Sequence, residues 1–436
     1  MVGQIAFILV IILAGYFLTR RIRFIRNNIK LGRDLDIRGN SSERFRNLLL
    51  IAFGQKKMFK RPIPALLHLF VYVGFLVINI EVLEFIIDGL TGNHRTFSPY
   101  LGGFYNVLMN IFEFLAVTVL VSCVVFLIRR NILKVRRFWM YEMTRWPRLD
   151  ANVILLTEIV LMIAILKMNA SDQLLQRINE HYPDTGRLFF SSILIMPFFE
   201  SYNEGTLIFI ERFAWWFHII GILGFAVYIT YSKHLHIFMA FPNTWYAKLE
   251  PKGRMNNMPV VTREVKSMLG LGDDDQSPAG EPGRFGAKDV NDLTWNMLMG
   301  AYACTECGRC TAECPANQTG KKLSPRKIMM DTRDRMEEVG NSLLKGGPGL
   351  SDGKSLLDNY ITREEINACT NCQACVEACP VMINPLEIIA ELRRYVTMEE
   401  SAAPASWNNM YQNIETSFAP WKFSPGDRFN WAQETK

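Results

Sequence analysis

ACTECGRCTAECP at residues 303–315 and ACTNCQACVEACP at residues 368–380 are two copies of one pattern, and together they hold eight of the nine cysteines in the chain. Each copy offers three thiols from a tight loop and a fourth directly before a proline. This is the spacing of an iron–sulfur loop, and in two-cluster ferredoxins the fourth cysteine of each run ligates the cluster of the other run. The spacing therefore predicts one [4Fe-4S] cluster on Cys304, Cys307, Cys310 and Cys379, and a second on Cys369, Cys372, Cys375 and Cys314. CxxC pairs also hold zinc, but a zinc site leaves the two CxxxCP ends unexplained. A disulfide framework has other spacings and needs an oxidising compartment. Two adjacent clusters imply the passage of single electrons.

The sequence around the runs repeats as well. Cys314-Pro315 is followed by Ser324-Pro325 and the periodic stretch IMMDTRDRM, and Cys379-Pro380 by Asn384-Pro385 and LEIIAELRRY. In both, a capping residue precedes a proline suited to the first helical position. Each half reads as a cluster loop leading into a helix, with the halves related by an approximate two-fold axis. The insert at 340–362, containing LLKGGPGLSDG, reads as a surface loop, and GDDDQSPAGEPGRFGAK at 272–288 as a linker.

Before residue 240 the chain changes character. Five stretches, near 3–19, 63–87, 104–128, 151–168 and 206–232, are apolar and long enough for a bilayer, which needs about 20 helical residues. The fourth is short and carries Glu158 and Lys167; residues 186–200 are too short to cross and read as an interfacial or re-entrant piece. A basic run follows the first stretch, as after a retained anchor. The loops 20–62 and 129–148 are dense in Lys and Arg, while 88–103 and 169–205 are nearly free of them. By the positive-inside rule the basic loops are cytoplasmic, the N-terminus is outside and everything after residue 232 is inside. These loops account for the formal charge of +6, so charge is no argument for nucleic acid; they are also placed to touch anionic lipid. The expected fold is all-α: a five-helix transmembrane bundle (1–240), a linker (241–290), a cytoplasmic helical two-cluster ferredoxin-like domain (291–400) and a tail (401–436). The setting is a bacterial or archaeal cytoplasmic membrane.

The histidines number six. His68 falls near the cytoplasmic end of the second stretch. His218 and His236 are expected on the fifth span, 18 residues apart, and so on one face about 27 Å apart along the axis, with His234 turned away. An imidazole in a bilayer is costly without a partner, and haem iron takes two facing imidazoles from different helices. His68 and His236 lie at matching depth and are the candidate axial ligands of a b-type haem; His218 is a candidate for a second. Hydrogen bonding across helices is the plainer alternative for each. His94 and His181 read as surface residues of outer loops. Glu113 and Glu158 suit either a proton path or pairing with a neighbouring helix, and Cys123 a small apolar filler.

WWFHIIGILGFAVYITYSKHLHIF (215–238), PIPALLHLFVYVGFLVIN (62–79) and FGAKDVNDLTWNMLMGAYACTECGRCTAECPANQTGKKLSPRKI (285–328) together carry a resemblance. The whole chain resembles a fusion of the membrane haem b subunit and the small two-cluster subunit of heterodisulfide reductase. Its membrane half is also similar to the gamma subunit of respiratory nitrate reductase. In that pattern the fifth helix offers two histidines at the spacing of His218 and His236, and the second helix offers two, of which this sequence matches only His68. The resemblance implies electron transfer between the quinone pool, menaquinone or ubiquinone, and a separate cytoplasmic iron–sulfur partner with CCG repeats, which this chain lacks. A quinol site is expected either near His68, Tyr231 and Lys233 or near His218, Glu81 and residues 186–200. The tail, with Trp407, Trp421 and Trp431, suits docking or packing on its own domain. A haem-free membrane-anchored ferredoxin, or a sensing or structural subunit, stays open.

Overall fold

The computed structural model describes residues 1–37, 39–271, 284–347 and 352–434. Among them there is no β-strand, only two isolated bridges, Arg33 with Thr294 and Leu357 with Ile361. Five helices are long and apolar enough to cross a membrane: Val2–Ile29, Pro62–Thr91, Gly103–Asn131, Arg145–Leu175 and Glu204–Ile229, here the first to fifth spans. The first four exceed the stretches expected for them, the fifth begins two residues earlier and ends three residues earlier than expected, and the fourth, expected to be short, is the longest at 31 residues. Its C-terminal polar residues, Asn169 to Gln173, are buried. The fourth span packs on the third and fifth, the second on the third, and the first lies against the second and fifth. Close approach needs small residues: a Cβ at Gly89 would lie 2.5 Å from the ring of Phe7 on the first span. Leu9, Ile12, Leu83, Val107, Phe209 and Phe213 point outward and stay exposed, as side chains facing lipid must.

Polar groups close the end of the bundle far from the clusters. Glu113 accepts from the backbone N–H of Phe190 (3.0 Å) and Ser191 (3.1 Å), which pins residues 186–200 as two short helices, Phe189–Leu194 and Met196–Phe199. Arg95 is buried and donates to Asp172 (3.1 Å) and Asn169 (2.7 Å). His94 belongs to the same network, with Nε2 2.8 Å from Asp172 and Nδ1 3.0 Å from Arg212. The expectation that His94 is a surface residue is corrected: two loops fold over the helix ends and take it inward. His181 is exposed.

The cluster domain rests on the opposite end, the end that carries the basic loops. Arg326, fully buried, donates Nη2 to Glu142 Oε1 at 2.6 Å and Nη1 to the Arg137 carbonyl at 2.6 Å. Asn28 of the first span donates to Tyr302 Oη (2.9 Å), which donates to Glu337 (2.7 Å). Lys60 pairs with Glu377 (2.6 Å) and Arg61 with Glu313 (3.2 Å). The core of this domain takes in Ile25 from the first span and Leu235, so bundle and domain share one packed layer.

Local signals behave as their chemistry dictates, with exceptions. Ser324 caps the helix Pro325–Gly346 by accepting from the Lys327 N–H, whereas Asn384 makes no cap bond to the helix Pro385–Arg394 and its Oδ1 is buried without a partner. The boundary expected at 240 falls inside the helix His236–Trp245. Of the expected linker 272–288, residues 272–283 lie outside the described residues; Ala287 is fully buried and donates to the Glu391 carbonyl at 2.9 Å, so this end belongs to the cluster domain. The expected surface loop at 340–362 begins as the last turns of Pro325–Gly346 and ends with Leu356, Leu357 and Ile361 in the core, because these apolar residues fill the space under that helix. Its residues 348–351 lie outside the described residues. In the tail, the helix Ala405–Ser417 has no buried residue, and Phe418, Trp421 and Phe423 are exposed.

Candidate redox site

The two cysteine runs fold alike. Glu306 and Gly308 have φ of 53° and 69°, and the residues in the same register of the second run, Asn371 and Gln373, have 55° and 65°. These left-handed turns wrap each loop around its sulfurs. Cys304, Cys307, Cys310 and Cys379 line one void, and Cys314, Cys369, Cys372 and Cys375 line another. The chain thus brings together the two crossed foursomes expected from the spacing. Each foursome surrounds its own void. Backbone N–H groups point at the sulfurs, from Ile383 to Cys379 Sγ (3.2 Å) and from Asn371 to Cys369 Sγ (3.5 Å), the kind of bond that tunes a cluster's potential. Burial pushes the thiols of Cys304 and Cys375 up to about 12 and that of Cys379 up to about 11. Without iron these thiols stay protonated; the metal supplies the charge that makes them thiolates. Cys372 is exposed, while the Cys304 foursome lies under the bundle.

Between that foursome and the spans lies a cavity of about 400 Å³, within the range of small-molecule sites. His68 and His236 face each other across it, ring centroids 6.5 Å apart. Two metal–nitrogen bonds of about 2 Å each, with the two half-rings, account for a separation of this size. Each Nδ1 is engaged: that of His68 lies 3.0 Å from Gln55 Oε1, and that of His236 3.0 Å from the Lys233 carbonyl. An Nδ1–H donated to an oxygen leaves Nε2 as the free lone pair, the usual way a ligating imidazole is oriented. Gln55 is aimed by its own left-handed φ of 49° at the start of the helix Lys56–Lys60. Burial holds His236 and His234 below the ordinary imidazole range, so both stay neutral.

The cavity walls suit a flat anionic group. Val71, Phe75, Phe126, Leu155 and Phe241 are apolar, and the rim toward the cluster domain carries Arg129, Arg130, Arg137 and Arg309. Arg137 Nε is buried without a partner. Donors in this position match carboxylates such as haem propionates. Cys307 lines the same cavity, so the imidazole pair and the first cysteine foursome share one space.

Some expected placements change. His236 is not on the fifth span, which ends at Ile229; Ser232 is extended (φ −114°, ψ 159°), and His236 begins a new helix. The turn swings His234 into the cavity, its ring 5.4 Å from that of His236, so the expectation that it faces elsewhere is corrected. His218 stays on the fifth span, buried, with Nδ1 3.1 Å from the Leu161 carbonyl and its ring against Phe85 at 5.7 Å. Among the described residues no second imidazole faces it. Lys233 does not present a free ammonium to a quinol: it is buried in an ion pair with Glu306, and burial lowers its pKa against the pull of Glu306 and Asp150. Burial alone would raise Glu306, but Lys233 and Arg333 hold it below the usual carboxylate range. Tyr231 is away from this cavity, under the guanidinium of Arg21 at 4.3 Å.

Sequence reasoning missed Gln55, His234, Arg137, Arg309 and Glu306. Only two signals pointed to them: the density of arginine in 129–137, and the place of Glu306 and Arg309 between ligand-spaced cysteines.

Comparison with known proteins supports the iron–sulfur part of this site. Residues 303–383 match a 4Fe-4S dicluster domain. The chain is 27% identical over 99% of its length to a probable iron-sulfur-binding oxidoreductase, FadF, of Bacillus subtilis, of which it spans 61%. It is 26% identical over 90% of its length to an EtfAB:quinone oxidoreductase of Syntrophomonas wolfei, of which it spans 54%. Over 34% of its length it is 35% identical to a probable membrane-anchored ferredoxin of Chromohalobacter salexigens, of which it spans 24%. No solved structure matches the chain. The chain carries a dicluster iron–sulfur domain behind five apolar helices, and its relatives are iron–sulfur oxidoreductases and electron-transfer proteins.

Proposed function

We propose that the chain relays electrons between a membrane quinone and a cytoplasmic iron–sulfur partner of the CCG type, through a b-type haem held by His68 and His236 and two [4Fe-4S] clusters held by the crossed cysteine foursomes. One observation carries the reading: Cys307 and Arg309 of the first cluster loop line the same cavity as the imidazole pair. Haem and clusters supply one-electron transfer. The residues supply the rest: Gln55 and the Lys233 carbonyl orient the imidazoles, Arg137 and Arg309 meet propionates, and the exposed Cys372 loop is the exit. The name of the Syntrophomonas relative, an EtfAB:quinone oxidoreductase, supports quinone as the membrane partner. In this reading the cluster domain and the basic loops packed against it are cytoplasmic, and the exposed aromatic tail docks the partner.

The test is a reduced-minus-oxidised spectrum of the purified chain, followed by addition of a menaquinol analogue. A bis-imidazole b-type signal that quinol reduces is expected. Iron–sulfur absorption alone, with no haem signal, favours the haem-free membrane-anchored ferredoxin, a reading to which the name of the Chromohalobacter relative lends weight.

A further inference from the structure

The spans contain an unusual number of carboxylates, and almost all are spent. Glu81 faces Arg95, Glu84 accepts from Tyr105 (2.8 Å), and Asp88 accepts from the Arg95 N–H (3.0 Å). Glu113 holds the Phe190 and Ser191 amides. Asp150 accepts from Tyr228 (2.6 Å), Asp172 from His94 and Arg95, Glu204 from Asn179 (2.7 Å), and Glu211 pairs with Arg212. Glu158 differs. It makes no hydrogen bond or ion pair with any described residue, and it lines the cavity that His68 and His236 share. An ionisable group in a span without a structural partner marks a functional site.

Its place in the cavity defines what it meets. Along the second span the lining continues from His68 through Phe75 to Leu76, about 12 Å at the rise of a helix. This inner part is walled by Phe75, Leu76, Cys123 and Leu155, and Glu158 is its one acidic group. The arginines lie at the rim end: Arg129 and Arg130 on the last turn of the third span, Arg137 on the loop after it and Arg309 in the cluster domain. The cavity therefore has an anionic-ligand end at the rim and an apolar end with a single carboxylate. The second end suits an apolar ring that carries one or two hydroxyl or carbonyl oxygens.

We propose that Glu158 is the proton-exchanging residue of the quinone site, an inference that rests on the electron-relay reading above. Oxidation of a quinol to a quinone releases two electrons and two protons. As a quinol O–H bond breaks, its proton passes to a Glu158 oxygen, forming a carboxyl O–H, while a haem held by His68 and His236, when bound, would supply the one-electron acceptor. Glu158 then releases this proton to solvent and, as carboxylate again, takes the second in the same way as the second electron leaves. The balance is one quinol to one quinone, two one-electron acceptors reduced and two protons released. In the opposite direction Glu158 delivers both protons.

The test uses the full chain in detergent, as wild type, E158Q and E158D, with menadiol as reductant, dithionite as a quinone-independent reductant and the fluorescent quinol analogue HQNO as binding probe. For E158Q the haem and cluster spectra and their reduction by dithionite stay as in wild type. Reduction by menadiol slows about 100-fold, the size of a lost general base, and HQNO binding weakens. E158D, which keeps the carboxylate, stays within about tenfold of wild type. Menadiol reduction of E158Q at the wild-type rate overturns the assignment of Glu158 and leaves the quinone reading intact. A wild-type chain that menadiol does not reduce overturns both.

Discussion

At the scale of single residues, what a side chain does with its second polar atom decides what its first can do. Gln55 and the Lys233 carbonyl engage the two Nδ1 atoms, which in the proposed reading leaves both Nε2 atoms for haem iron. His68→Ala and His236→Ala are each expected to abolish the bis-imidazole spectrum, while His218→Ala spares it; a low-spin signal surviving both of the first two would contradict the pairing. Gln55→Ala keeps both ligands but loosens one ring, and haem affinity should fall about 10- to 100-fold, the usual size of an outer-partner loss, measured by haem titration. The cysteines make a second prediction. Cys314 lies in the first run but shares its void with Cys369, Cys372 and Cys375. Cys314→Ser should therefore broaden or erase the EPR signal of the cluster on the second run, and Cys379→Ser that of the first. Damage confined to each variant's own run would refute the crossing.

At the scale of elements, the contact between bundle and cluster domain depends on buried charge. Glu142 and Arg326 have side chains 2% and 0% exposed. Glu142→Ala strands a guanidinium in the interior, a loss of about 3–5 kcal/mol for a broken buried pair; a lower thermal midpoint and earlier proteolytic release of the cluster domain are expected. An unchanged midpoint would show that water reaches Arg326. The same scale explains what could be read in advance. The cysteine runs were legible because ligand spacing is set by a cluster, whatever the fold around it, and the spans because hydropathy over 20 residues is a property of composition. The histidine face was not legible. Counting 100° per residue through Thr230–Leu235 assumes a helix, but Ser232 is extended and a short 3₁₀ turn, Lys233–Leu235, follows. His236 still meets His68, because that meeting needs common depth and not a common helical phase, whereas His234 and Tyr231 depend on phase and moved. His94 and Gln55 were invisible for a related reason: they lie on loops with no periodic pattern, and those loops carry them to Asp172 and His68 on the spans.

At the scale of the whole molecule, the positions of the centres set an order. The imidazole pair sits between second span and the helix His236–Trp245; the Cys304 foursome lines the same cavity through Cys307; the Cys369 foursome lies beyond it and reaches the surface at Cys372. Only the Cys304 foursome has a centre on either side of it, which makes a linear path from the imidazole pair through the first foursome to the second the expected one. The consequence can be tested by breaking it at two places. Loss of the outer cluster through Cys372→Ser should leave quinol reduction of the haem and of the inner cluster at wild-type rates, while transfer to an external one-electron acceptor protein stops. Loss of the inner cluster through Cys307→Ser should leave haem reduction alone, and the outer cluster, although intact and reducible by dithionite, should no longer respond to quinol. The decisive measurement is the second variant under quinol, followed by low-temperature EPR. An outer cluster that quinol still reduces without the inner one would mean that electrons have a route around the inner cluster, and the linear order would be refuted.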